Sequence, residues 1–232
     1  MEKQLFKINK IILLSFILFF VTFTLSSQTP SPARHIRLSV WASLDAYPGV
    51  EHDKDYEGLE YPVKCIKEVA PYIINGMVYG WEFYYVPYDK TRGVEEYLEV
   101  NEIVPVEYIS SNIKYSSPWF QDGRLNCWCD FYKDESQIRE YYRWSSINNP
   151  VISGKGDGNL IEGFNGIKAA ADDALKNAIR SYYRSVIKNK PKSIRGKVLI
   201  KNSPIIGIDA GRYVFNLDFF LECGKITEYK VF

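Results

Sequence analysis

Cations recur every fourth residue at Lys176, Arg180, Arg184 and Lys188. The run continues through Lys190, Lys192, Arg195, Lys197 and Lys201, with no acid between residues 174 and 208. On a helix, a spacing of four places the first four side chains along one face. Arginines in such a row can grip a carboxylate or phosphate through two parallel N–H donors, and lysines add point charge. The first chemistry the chain offers is therefore anion or partner binding centred on Lys176, Arg180, Arg184, Lys188, Lys190 and Lys192. If the strand that follows folded back beside the helix end, all nine cations would form one patch for phosphate, acidic polysaccharide or a membrane surface. A plainer reading competes with it. Asp172 and Asp173 precede the cations, an order that complements the helix dipole, and a solvated face accounts for the row without a ligand. Residues 45–107 carry fourteen acids against five bases, so the partner of the row can lie within the same fold.

Other chemistries find less support. The glycines at 154, 156 and 158 precede the helix but lack the Walker spacing and a Lys-Ser/Thr pair, so they read as a flexible connection. Asp157 stands alone where a calcium loop needs several oxygen ligands. His35 and His52 fall in no paired-ligand motif, and no serine lies in a Gly-x-Ser-x-Gly elbow. No catalytic residue, metal or cofactor is assigned. A pair of carboxylates of the kind used in glycoside hydrolysis is the remaining route to an enzyme, with Glu82, Glu95, Glu96, Asp130 and Asp218 on expected strands.

Eighteen tyrosines, thirteen phenylalanines and five tryptophans supply enough rings for a sugar or peptide platform, with Trp81, Tyr84, Tyr85, Trp119, Trp128 and Trp144 the clusters of interest. Core packing in an antiparallel sheet uses the same residues. Cys65, Cys127, Cys129 and Cys223 are the only cysteines. Cys127 and Cys129 share one strand face and are poorly placed to bridge each other, so any disulfide joins one of them to Cys65 or Cys223. Small buried hydrophobes are the alternative, and the spacing is poor for zinc.

These residues need elements to position them. The clearest is a helix over residues 164–189, where Phe164, Ile167, Ala171, Ala174, Leu175, Ala178, Tyr182 and Val186 form one apolar face. A shorter helix over 62–79 starts at Pro62 and is kinked, or split, at Pro71. Strands are expected at 35–44, 81–87, 94–104, 106–115, 125–132, 137–144, 193–201, 213–222 and 226–231, with turns at Asp89-Lys90-Thr91-Arg92-Gly93, Gln121-Asp122-Gly123 and Asp209-Ala210-Gly211. The pattern is α+β, a mostly antiparallel meander with few helices. Helix, strand, Asp-glycine turn and strand occur twice, which raises an αββ duplication with halves at 34–115 and 116–232 within one domain over 34–232.

The N-terminus bears on compartment. Lys3, Lys7 and Lys10 precede an uncharged run from Ile11 to Leu25, followed by polar residues. That order reads as a signal peptide over 1–27, with a polar leader at 28–33. Fifteen residues rise about 22 Å as a helix, short of the roughly 30 Å hydrocarbon core. Export to the periplasm or the extracellular space follows. The membrane is involved only if the segment stays uncleaved, and no cysteine is placed for lipid attachment. With a net charge of +1, no nucleic-acid partner is expected. The preferred reading is an exported cell-envelope protein, non-enzymatic, that binds a partner protein or an anionic envelope component through its basic helix end. The alternatives are an envelope glycan hydrolase with paired carboxylates and a structural or assembly component.

Overall fold

The computed structural model describes residues 33–44 and 58–229. The expected signal peptide, most of the polar leader, His52 and the last residues of the expected final strand lie outside them. Among the described residues the fold is α+β, with two antiparallel sheets and four α-helices. The smaller sheet has the order β1 (His35–Ser43), β5 (Arg124–Tyr132), β4 (Lys114–Gln121). The larger has the order β3 (Tyr97–Glu102), β2 (Trp81–Val86), β7 (Ser193–Ile200), β9 (Arg212–Thr227), β6 (Val151–Asn159). A short strand, β8 (Ile206–Asp209), pairs with β9 around a turn at Ala210 and Gly211. Among the described residues no helix is long and apolar enough to cross a membrane.

The helix α1 (Glu60–Val78) runs unbroken through Pro71, in place of two pieces. Its C-terminal half is buried on nearly all sides, and α1 packs against β1, β5 and β7. Tertiary burial therefore outweighs the hydrogen bond that Pro71 removes. On β1 and β5 the alternate residues Ile36, Leu38, Val40, Leu125, Cys127, Cys129 and Phe131 are buried. This sheet thus has an inner face toward α1 and a second face turned away from it.

One expected strand, 137–144, is helical, and another, 106–115, is helical over its first part and joins strand β4 only at residues 114–115. Residues 107–110 form a single turn, α2 (Glu107–Ser110), and residues 135–144 form α3 (Glu135–Trp144). The reason for the second is local. Asp134 accepts from the N–H groups of Ser136 and Gln137, while the Gln137 side chain accepts from the N–H of Asp134, closing a capping box. The last expected strand is the extension of β9 to Thr227, where Ser193 pairs with Thr227.

The glycine run is not a loop. Residues 151–159 form β6, paired to β9 from Val151–Phe220 to Asn159–Arg212. Gly154, Gly156 and Gly158 all point toward the long helix α4 (Phe164–Val186). A β-carbon on Gly154 would lie 2.7 Å from the Ala178 nitrogen, and one on Gly156 2.7 Å from the Asp173 carbonyl carbon. The helix answers with small residues, Gly166, Ala170, Ala174 and Ala178, all buried. Period-two glycine thus lets a helix backbone lie directly on a strand.

α4 also packs on β9 and reaches β3 at the opposite edge of the sheet, so the sheet curls around the helix. Its buried stripe is Ile167, Ala170, Ala171, Ala174, Leu175, Ala178, Ile179 and Tyr183. The predicted stripe drifts off near its end, since Val186 is 58% exposed. The helix stops at Val186 because Ile187 is already extended, ahead of Pro191. Each half contains a helix followed by an antiparallel hairpin, β2–β3 after α1 and β7–β9 after α4, and the two hairpins meet where β2 pairs with β7.

Substituting Gly156→Ala should cost ~3 kcal/mol or more, at the top of the range for overpacking, because the obstructing atoms are backbone. Gly123→Ala, whose added methyl meets nothing within 4 Å and only strains a positive φ, should cost ~1 kcal/mol. Urea denaturation of the two variants measures the difference.

Candidate functional site

At the C-terminal end of α4 the helix lifts off the sheet and leaves a cavity of about 420 Å³. Its floor is Tyr85 from β2 and Ile194 from β7, which face each other across the two strands. Tyr183 and Ile187 form the helix side, and Pro87, Tyr88 and Pro191 close the rim. Around this apolar frame stand Arg180, Arg184, Lys188 and Lys190, with Glu96 the one carboxylate in the lining.

The cations differ in what they have left to offer. Arg180 donates from Nε to Glu96 Oε1 at 2.8 Å and from a terminal nitrogen to Glu96 Oε2, and it also donates to Asn177 Oδ1 at 2.8 Å. Tyr85 donates its hydroxyl to Glu96 Oε1 at 2.5 Å. Burial works to raise the Glu96 carboxyl, but the Arg180 and Tyr85 hydrogen bonds and the Arg180 charge outweigh it and hold the group below the usual carboxylate range. Burial and Glu96 raise the Tyr85 phenol, and Glu96 raises the Arg180 guanidinium. Tyr85, Glu96 and Arg180 are therefore a locked structural trio.

Lys176 sits 2.8 Å from Asp173, one turn back on the same helix. Lys190 donates to the Tyr88 carbonyl at 3.0 Å. Arg184 and Lys188 are exposed at the mouth, and among the described residues no acid lies within ion-pair distance of either. Tyr183 adds a different kind of group. Its side chain is buried and its hydroxyl has no hydrogen-bond partner among the described residues. Burial, and after it the neighbouring Cys223, raise this phenol.

The row of cations therefore divides. Arg180, Arg184, Lys188 and Lys190 surround one cavity, while Lys176 and Lys192 lie outside its lining. The single patch of nine does not form. Arg195 and Lys197 point to the other face of the sheet, where Arg195 lies 4.9 Å above the Tyr84 ring and Lys197 is 3.2 Å from Glu82. Both line a second, shallower polar cleft of about 500 Å³ with Glu82, Glu99 and Glu222. Arg143 holds Glu222 there at 2.6 Å.

Four of the five candidate carboxylates are engaged by neighbours, Glu82 and Glu96 as described above. Asp130 is bonded to His35 at 2.8 Å, and Asp218 to Ser153 at 2.6 Å and Asn202 at 3.1 Å. Burial does push two carboxyls up, Glu102 and, to about 6, Asp172. Neither lines either of these two cavities. Sequence periodicity had no means of finding them, because their burial comes from α4 lying close to β3.

Where the spacing of cysteines suggested a bridge, all four are free thiols. Cys127 and Cys129 are buried side by side on β5, with Cys129 pushed up to about 12 by burial first and then by Cys127. Cys65 is half-buried on α1 and Cys223 exposed on β9. Trp81, Trp144 and Tyr85 are core residues; Trp119 and Trp128 sit together on the smaller sheet, their rings 5.8 Å apart.

A protein-family model spans residues 24–229 of this chain. The chain belongs to that family. It is similar to an uncharacterized protein of Treponema pallidum (strain Nichols), with 27% identity over 205 residues that cover 88% of this chain and 86% of the relative. No solved structure matches the chain. The family therefore contributes its extent, which takes in the cavity and both sheets, and the chemistry has to come from the geometry.

Replacing Glu96 by Gln should destabilise the fold by ~1–3 kcal/mol at pH 7, because Arg180 loses its counter-charge and one of the two oxygens that accept from it and from Tyr85 becomes an N–H donor. The sign with pH follows from the depressed carboxyl. Its contribution is complete above the ordinary carboxylate range and is lost as pH falls through the lowered folded value. Denaturation curves of the two proteins should converge in acid.

Proposed function

We propose that this is an exported, non-enzymatic binding protein of the cell envelope, and that it takes an acid-bearing ligand into the cavity at the end of α4. One observation carries the reading: among the described residues four cations and one carboxylate line that cavity, the carboxylate is fully occupied by Arg180 and Tyr85, and no acid pairs with Arg184 or Lys188. The negative end of the helix dipole faces the same space, but about half a charge there is outweighed by two free cations. Tyr88, Tyr183, Ile187 and Pro191 provide an apolar wall for the rest of the ligand. A ring or short hydrocarbon bearing a carboxylate or phosphate fits this division, since an aromatic-lined site with a few convergent polar groups is the usual form of a small-molecule pocket.

Phenyl phosphate is a suitable probe. Calorimetric titration of the purified protein should give saturable binding that weakens with added salt. The double variant Arg184→Glu/Lys188→Glu should lose it while keeping its circular dichroism, because neither side chain supports the fold. Binding that is unchanged in the double variant would overturn the cavity as the site.

Export rests on the lysine-then-apolar order of the first residues. Cells expressing the tagged full chain should yield a protein outside the cytoplasm with a new N-terminus close to residue 27, read by mass spectrometry. Recovery of the intact chain from the cytoplasm would rule the export reading out.

A further inference from the structure

The outward face of the β1–β5–β4 sheet carries an arrangement that the helix-end cavity does not use. Cross-strand register orders it in rows. Arg37, Asp130 and Lys114 form the first row, and Trp128 occupies the centre of the next. In the third row Asn126 lies between Trp41 and Trp119. Arg124 is central in the fourth. From the first row to the fourth is six residues of β1, about 20 Å.

Each part of this face has a recognisable chemistry. The Arg37 guanidinium lies 4.7 Å above the Trp128 ring and that of Arg124 4.1 Å above Trp41. Stacking on indole orients the guanidinium while leaving its N–H edge free to donate. The one acid that the described strand residues place on this face, Asp130, is held by His35 at 2.8 Å and stands 3.9 Å from Arg37. The face therefore has a surplus of positive charge, concentrated at its two ends. Between those ends it is neutral, built from indoles, Ser39 and Ser116. Asn126 Nδ2, in the middle, is buried with no hydrogen-bond partner among the described residues.

We propose that this face binds an acidic oligosaccharide, with carboxylates at the two guanidinium ends and a sugar ring laid against Trp119, the indole of the three over which no guanidinium of the described residues lies. Sugar rings offer flat C–H faces to aromatic planes and hydroxyls to amides and serines, and this is the mixture found in the central rows. A nucleic acid strand needs a cation for each successive phosphate, whereas here the charge is absent from the middle. A lipid surface needs apolar tips that protrude, whereas Trp41, Trp119 and Trp128 are half-buried and two of them are capped by guanidinium.

The test is a tryptophan-fluorescence titration of the full chain with hyaluronan hexasaccharide, whose acidic and N-acetylated sugars alternate. The neutral N-acetylglucosamine hexamer, oligo(dT) and phosphatidylglycerol vesicles are compared at the same salt. The acidic hexasaccharide should quench emission saturably and bind about tenfold more tightly than the neutral one. Trp119→Ala should weaken it about tenfold, and so should Arg37→Ala/Arg124→Ala. Should Trp119→Ala fail to fold, the arginine pair decides, since Arg37 is exposed and neither arginine lies in the core. Arg184→Glu/Lys188→Glu should leave this binding intact, which separates the face from the helix-end cavity. The proposal is overturned if the hexasaccharide gives no saturable response, if the arginine double variant binds it as well as the parent, or if oligo(dT) or the vesicles bind more tightly.

Discussion

The contact on which the rest of the structure depends is the one between three strand glycines and the small residues of one helix. Gly154, Gly156 and Gly158 leave the part of β6 that meets α4 without side chains, and Gly166, Ala170, Ala174 and Ala178 keep the helix side small. Backbone then rests on backbone, closer than any β-carbon would permit. A helix held this near one edge of a curled sheet necessarily comes within reach of the other edge, which is why Arg180 meets Glu96 beside β3. The same placement leaves space at the far end of the helix, where the sheet continues beyond Val186 and the chain turns through Pro191. The cavity is a consequence of how closely the helix is seated at its start.

Charge is distributed by that geometry rather than by sequence order. Cations spaced four apart share a helical face, yet the sheet meets them unequally. Lys176 has its own Asp173, and Arg180 is enclosed with Glu96 and Tyr85. Arg184 and Lys188 stand past the last acid that the sheet can supply. The cations of β7 are removed from the group altogether because alternate strand residues face opposite sides, and Arg195 and Lys197 find Tyr84 and Glu82 there. Two arginines of one row therefore have different roles: one fixes the helix against the sheet, and the other is available to a ligand.

The smaller sheet obeys a similar division of faces. Its inner residues, aliphatic or cysteine, pack toward α1 in a core where the thiols of Cys127 and Cys129 are raised by burial and stay protonated. Its outer residues are aromatic, cationic and amide, and they pair laterally by stacking and hydrogen bonding. Period-two alternation in two short strands thus separates structural from surface chemistry, with no motif marking the change.

Much of this was legible in the chain itself. The apolar spacing at Ile167, Ala171, Ala174, Leu175 and Ala178 determined a helix and the side it buries, and alternation at Tyr213, Phe215, Leu217, Phe219 and Leu221 determined a long strand. Together they fixed an α+β class. Local patterns were less decisive where two signals overlapped. The Asp134–Gln137 capping box made a helix of residues rich in tyrosine and tryptophan, and the alternating glycines made a strand where flexibility was the simpler expectation. What tertiary structure alone decided was which charges remain free, which tryptophans reach solvent, and that the half-buried Asp172 is an acid whose carboxyl is raised by its surroundings. Those properties depend on the approach of elements far apart in sequence, and neither residue type nor spacing encodes the distance between a helix and the opposite edge of a sheet.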